Sequence, residues 1–273
     1  KVPFKALLGH ALVKDETGRD MHKSWGNSIL FEDAAEKMGV DVMRWMYASQ
    51  NPEHNLLFGY AIADEMRKQL ITLWNTYSFF ITYANLDGFD PSVAIDMTTL
   101  TKSDRWIISK NNKFIESAGE SYDTYQVFHL MSGANQLLDN LSNWYVRRNR
   151  RRFWKSENDS DKSAAYFTLY TVLMNFVKVM APVIPFLCDK IYTNLALPMK
   201  GEVLDSVHLC DFPSIDTSCI DESIIEEVDT IIQIVSLSRS ARNKANIKIR
   251  QPLAELALFA EKNIQDIALN NEN

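Results

Sequence analysis

From Lys102 to Leu195 the chain is written in three long runs of helical spacing, about 102 to 118, 124 to 154 and 163 to 195. Apolar residues recurring every three or four positions must be buried against something, and helices of this length bury their stripes against one another. The fold class expected is therefore mainly α, built on a helical bundle. Pro182 and Pro185 should interrupt or kink the third run, because proline has no amide to give to the helical ladder. Another helix is expected from about Ala61 to Tyr83, where Ile62, Met66, Leu70, Leu73, Trp74 and Tyr77 fall near one face. A last one is expected from about Asp221 to Asn243.

The start of the chain reads differently. Residues 4 to 13, FKALLGHALV, have the composition of a strand entering the loop DETGRD, where Gly18 permits a tight turn. A short helix should run from Phe31 to Met38 and stop at Gly39. Asp41 stands where the N-cap of the next helix, VMRWMYAS, belongs, and Asn51-Pro52 breaks that helix. Residues 198 to 214 read as an exposed excursion, and Ile247 to Phe259 alternates apolar and polar residues like a strand. A lone strand cannot stand without a sheet, so the chain is expected to end inside or at the edge of a further domain. The organisation expected is a small α/β segment over residues 1–60, a helical bundle over 61–200, and an excursion, helix and truncated region over 201–273.

Composition narrows the function classes. Of 273 residues, 46% are hydrophobic and 23% charged, the balance of an ordinary globular protein, and no apolar run reaches the roughly 18 residues of a membrane helix. The start lacks an uninterrupted apolar core with a cleavage site, so no signal peptide is expected; it also lacks an initiator Met, which suggests a fragment. Cys188, Cys210 and Cys219 form no CxxC pair, which speaks against a disulfide framework or zinc site and for a reducing cytoplasm. His10, His54, His129 and His208 show no HExxH-like pairing, so no metal site is expected.

A net charge of -6 would discourage a nucleic-acid partner, yet six of the nine residues from Arg147 to Lys155 are basic and none is acidic. Phosphate recognition depends on local positive density. On a wheel of 100° per residue, Leu137, Leu138, Leu141, Trp144 and Tyr145 form an apolar stripe that Arg148 and Arg152 continue, with Arg147, Arg150 and Arg151 to one side. Two arginines on a core face need partners. Either this helix meets carboxylates such as Asp139, Glu157 or Asp161, or it overshoots the bundle and offers a basic fork beside Trp144, Phe153 and Trp154 to RNA. Trp144 and Tyr145 fit the core better than the surface. The basic tail of the last helix, Arg239, Arg242, Lys244, Lys248 and Arg250, is open to two readings, an RNA contact or a solvated face, of which the solvated face is the better fit.

Residues 15 to 29, DETGRDMHKSWGNSI, hold Lys23 on a glycine-flanked polar loop, where an ammonium can meet a polyphosphate as a compact point charge. Asp20-Met21-His22-Lys23-Ser24 followed by Gly26-Asn27 resembles the KMSKS signature of class I aminoacyl-tRNA synthetases. Asp20 stands in place of the signature's first lysine and His22 in place of its first serine. GVDVMRWMYAS (39 to 49) resembles the GxDxxRxxxxS continuation of the isoleucyl, valyl and leucyl branch. LWNTYSFFITYAN, SDRWIISK, LSNWYVRRNRRRFW, APVIPFLCDKIY, SVHLCDFP and IKIRQPL are similar, in that order, to words of the isoleucyl enzymes.

That resemblance implies a class I anticodon-binding domain behind a KMSKS-type loop. It makes Lys23 the catalytic contact to ATP, with Met21, His22 and Ser24 beside it. It makes Arg147, Arg148, Arg150, Arg151, Arg152, Trp154 and Lys155 a tRNA-facing set. It implies isoleucine, ATP with Mg2+, and tRNA(Ile) as the partners of the complete, monomeric enzyme. The family's HIGH signature, amino-acid pocket and editing domain have no counterpart in these words, so the polypeptide alone is expected to bind tRNA weakly and not to aminoacylate. The rival readings are a valyl or leucyl enzyme, and a helical RNA-binding module without chemistry.

Overall fold

The computed structural model describes residues 3–155, 157, 159–198 and 203–271. The chain divides into two compact units, residues 1–219 and 220–273. The first holds the loop-bearing segment together with the bundle. None of the described helices is long and apolar enough to cross a membrane.

Unit one opens with a two-stranded parallel sheet, β1 (Val13–Asp15) beside β2 (Leu56–Phe58), in the register Val13 to Leu56 and Asp15 to Phe58. The expected strand over residues 4 to 13 is not formed. Phe4, Leu7, Leu8 and Leu12 are exposed, and the stretch is tied down by the Ala11 amide on the Pro52 carbonyl (2.8 Å) and the Leu12 amide on Asn55 Oδ1 (3.2 Å). A β ladder needs a neighbour to pair with, and the neighbour here is three residues long.

Between the strands lie α1 (Phe31–Met38) and α2 (Val40–Ala48). Asp41 lies within the first turn of α2 instead of capping it. Its carboxylate reaches another helix: Oδ2 accepts from the Leu187 amide at 2.7 Å and Oδ1 from the Phe186 amide at 3.4 Å, in the first turn of α8 (Pro185–Ala196). Three residues on, Arg44 donates Nε to the Val183 carbonyl at 2.8 Å and its η nitrogen to Pro182 at 2.6 Å. The GxDxxR word thus grips the turn before α8, whose first amides and preceding carbonyls have no helical partner. Burial raises the Asp41 carboxyl above its ordinary range despite these amides.

The bundle is α3 (Tyr60–Asp87), α4 (Lys102–Asp123), α5 (Val127–Asp139), α6 (Arg147–Trp154), α7 (Ser160–Met180) and α8. α7 is buried along most of its length and packs against α3, α4, α6 and α8, with Phe176 stacked on Phe114 of α4 (5.8 Å between ring centroids) and Tyr166 edge-on to Phe80 of α3 (6.2 Å). The third expected helix is divided at Pro182–Pro185 into α7 and α8, as the two prolines require. The residues expected to form an exposed excursion are mostly exposed, apart from 199–202, which lie outside the described residues, but the stretch is anchored on α8. Val207 is buried, its amide and the Ser206 hydroxyl donate to Asp189 of α8, and Tyr192 donates to the Leu204 carbonyl.

Unit two consists of α9 (Glu222–Lys244) and α10 (Lys262–Leu269), joined by a bond from Asn271 to Glu227. The strand expected over Ile247–Phe259 is absent; these residues have no ladder partner among the described ones. Arg242 instead gathers the Lys248 and Gln251 carbonyls at 3.2 and 2.6 Å and folds the segment back on the helix end.

Candidate nucleotide loop and nucleic-acid interface

The loop between β1 and α1 is organised by Asp15, which the sequence did not single out, and Asn27, which follows the signature word with no role assigned to it. Asp15 accepts on Oδ1 from the Thr17 amide, the Thr17 hydroxyl and the Arg19 amide (2.9, 2.8 and 2.9 Å), an Asx turn that rounds the corner at Gly18. Its Oδ2 accepts from Asn27 Nδ2 at 2.8 Å. Asn27 also donates to the Asp20 carbonyl and accepts from the His22 amide at 3.0 Å, closing the far end of the loop onto the near end. The Asn27 bond, then the Arg19 and Thr17 donors, hold the Asp15 carboxyl well below the usual carboxylate range.

The residue standing where the signature has its first lysine is neutralised by a side chain of β1. The Lys14 ammonium bonds the Asp20 carboxylate and lowers its pKa, so a positive group still lies at this corner and Asp20 is not a bare repulsion for phosphate. His22 packs edge-on against Trp25, 4.3 Å between ring centroids. Lys23 begins a single 3-10 turn, Lys23–Trp25, that ends at Gly26 in the left-handed region (φ 71°), a conformation costly for any residue with a Cβ. Lys23 and Ser24 are exposed, Met21 is half-buried, and Lys23 has no ion pair among the described residues. An exposed, unpaired ammonium beside a backbone turn is able to meet an anion without first breaking a protein contact.

The arginine helix departs from the wheel for a definite reason. Between α5 and α6 the chain winds as a π-helix over Asn140–Val146, with hydrogen bonds spanning five residues instead of four. The wider turn delays the apolar stripe by about one residue, or 100° on the wheel. Tyr145, Val146, Asn149, Arg152 and Phe153 are therefore buried, while Trp144 turns half outward and Arg148 fully so.

Arg152 is thereby taken out of the RNA-facing set. Only 8% exposed, it forks onto Asp104 with both η nitrogens at 2.8 Å, and its Nε lies 2.7 Å from Asp161 Oδ1. Asp104 is fully buried and also accepts from the Tyr145 hydroxyl (2.6 Å) and from Thr101, with which it forms the capping box of α4. Burial alone would raise the Asp104 carboxyl, but Arg152, Tyr145 and Thr101 together hold it below the ordinary range. Of the three carboxylates considered from sequence, Asp161 is a partner; Asp104 was the one missed, although Thr101-x-x-Asp104 carries the spacing of a capping box. Lys155 is half shared: its ammonium is exposed but bonds Asp161 at 2.8 Å and lies 3.6 Å from Asp159.

Four guanidiniums remain outside. Arg147, Arg148, Arg150 and Arg151 are exposed and make no ion pair among the described residues. Arg148 lies over the Trp144 ring (5.0 Å to the centroid) and Arg150 over Phe79 of α3 (5.6 Å). Arg147, Arg150, Arg151 and Trp154 recur at helical spacing on one face, and Trp154 is 54% exposed. Such a face offers charge for phosphates and flat surfaces for unstacked bases.

Comparison with known proteins agrees with this architecture. Residues 104–258 match the model for the anticodon-binding domain of tRNA ligase, and residues 1–57 match that for tRNA synthetases class I (I, L, M and V). The isoleucine--tRNA ligase of Dehalococcoides mccartyi strain 195 is 43% identical over 251 residues, covering 91% of this chain and 25% of the relative. That of Clostridium novyi is 43% identical over 95% of the chain, and that of Thermus thermophilus 37% over 95%, each again over 25% of the relative. The chain thus spans about a quarter of the length of these relatives. In fold it is similar to the LeuRS of Agrobacterium radiobacter K84, solved as a ternary complex with tRNA and LeuAMS, with a TM-score of 0.59 at 13% identity over 78% of this chain and 24% of that one. Bundle, family models and relatives agree: the chain belongs to the class I tRNA ligases that carry this anticodon-binding domain.

Proposed function

We propose that this chain is the part of an isoleucine--tRNA ligase that presents Lys23 to the phosphates of ATP and a basic helix face to tRNA(Ile). In the reaction so served, the isoleucine carboxylate attacks the α-phosphate of ATP, taken up as its magnesium complex, and pyrophosphate leaves. The acyl group then passes to the terminal ribose of the tRNA. Lys23 supplies positive charge where it accumulates on the departing phosphates, with Met21, His22 and Ser24 forming the rest of the loop's contact. Residues 1–60 would be the end of the catalytic domain and its stem-contact segment, 61–200 the anticodon-binding bundle, and 201–273 the start of a further region.

The observation that carries the reading is the exposed quartet Arg147, Arg148, Arg150 and Arg151 beside Trp144, Phe79 and Trp154. The test is the salt dependence of tRNA(Ile) binding. Charge reversal of Arg147 and Arg151 together should weaken binding and make the slope of log K against log salt shallower by about two. An unaltered slope would remove this face from the interface.

A further inference from the structure

Asp15 and Glu16 are neighbours at the end of β1, and their carboxylates do opposite things. Asp15 folds the signature loop upon itself. The Glu16 side chain leaves the loop and crosses to the beginning of α3, where Oε1 accepts from the Ala61 amide at 2.5 Å and lies 3.4 Å from the Ile62 amide. The first amides of a helix have no intrahelical acceptor, and the residue at the N-cap of α3, Gly59, has no side chain to offer one. Glu16 serves as the cap from a distant part of the chain.

Gly59 is fitted to that role by close approach, not by its φ. A Cβ built there would lie 1.9 Å from Glu16 Cγ and 2.2 Å from Cδ, so any other residue would displace the carboxylate from the helix end. The contact runs on without a gap into the loop: Ala61 amide to Glu16, Glu16 to Asp15 through the backbone, Asp15 to Asn27, and Asn27 to the amide of His22, the residue before Lys23.

We propose that Glu16 is a positioning residue for adenylate formation, one that ties the loop carrying Lys23 to the N-terminus of the bundle's longest helix. The inference rests on the reading that Lys23 meets the ATP phosphates. A loop fixed at its base spends less of its binding energy on being ordered when the nucleotide arrives.

The test uses the full-length enzyme, with isoleucine-dependent pyrophosphate exchange and tRNA(Ile) affinity as the two readouts. Glu16→Ala should lower kcat for exchange about tenfold with tRNA affinity unchanged. Glu16→Gln, which keeps an acceptor oxygen over Ala61, should retain most of the activity. Gly59→Ala should reproduce the Glu16→Ala loss, and the double variant should be no worse than either single one, since both remove the same contact. Hydrogen exchange at the Ala61 and Ile62 amides should quicken in both single variants; should Glu16→Ala fail to fold, Gly59→Ala carries the comparison alone. Lys23→Ala runs beside them. If Lys23→Ala slows exchange while Glu16→Ala and Gly59→Ala stay within about twofold of wild type, well inside the loss that misplacement causes, the positioning role is overturned and the phosphate reading stands. If Lys23→Ala itself is silent, the phosphate reading falls and this inference with it.

Discussion

Removing the Asp104 carboxylate is the perturbation whose size the structure states most directly. Asp104→Ala takes away the acceptor for both η nitrogens of Arg152, the acceptor of the Tyr145 hydroxyl, and one half of the α4 capping box. Arg152 keeps the partly exposed Asp161 carboxylate at Nε, Asn149 Oδ1 and the Asp161 carbonyl at its η nitrogens, but loses the buried anion that balances its charge. Breaking a buried ion pair by deleting one partner costs about 3–5 kcal/mol, and loss of a cap about 1 kcal/mol more. Unfolding of the 273-residue chain in urea, followed by far-UV circular dichroism, should therefore show a midpoint lower by about 2–3 M for a slope near 2 kcal/mol per M. The deficit should depend on pH with a definite sign. Because the folded carboxyl is held below the ordinary value, its contribution is fully present above about pH 4 and is lost as the pH falls through the depressed folded pKa. The gap between wild type and variant should narrow in strong acid. The double variant Asp104→Leu, Arg152→Met, which replaces the pair with apolar groups, should recover most of the loss and leave tRNA binding untouched. A cost of Asp104→Ala under about 1 kcal/mol, the range of an exposed pair, would refute the account of a buried pair holding α4 to α6.

Two further outcomes are expected. Lys23→Ala in the complete enzyme should lower the rate of isoleucine activation with little loss of tRNA affinity, read by pyrophosphate exchange and by filter binding; unchanged activation kinetics would remove Lys23 from its role. Asp41→Ala should destabilise unit one by about 0.5–2 kcal/mol through the lost cap on α8, and amide exchange at Phe186 and Leu187 should quicken, whereas a loss confined to α2 would mean that Asp41 serves its own helix after all.

How far the sequence disclosed this molecule depended on the range of the interaction concerned. Helices with continuous apolar stripes, such as α3, α4 and α7, were legible because the stripe and the helix occupy the same residues. The loop word around Lys23 was legible as a local pattern. Contacts between distant residues were not: Asp41 has the neighbourhood of a local N-cap and caps α8 instead, and Glu16 reads as one more loop carboxylate until Ala61 is brought beside it. Strand expectations failed over residues 4 to 13 and 247 to 259 because alternation states only that a stretch suits a sheet, not that a partner will be there. The arginine cluster was half legible. Its density was plain, but a wheel assumes one pitch throughout, and the pitch changes at Asn140.

That change of pitch has a use. A helix of uniform winding must keep one side inward along its whole length, so residues carrying surface charge and residues filling the interior are locked in phase. Seven loosely wound residues release the lock and let a single unbroken rod show its neighbours apolar side chains over one half and a differently angled, cationic side to solvent over the other. Shortening Asn140–Val146 by one residue would swing the downstream half by roughly 100°, carrying Arg148 toward the interior and Arg152 away from Asp104. Arg147 and Arg151, which lie on no ring among the described residues, can then be altered one at a time without disturbing the packing beneath, provided that the length of this stretch is left alone.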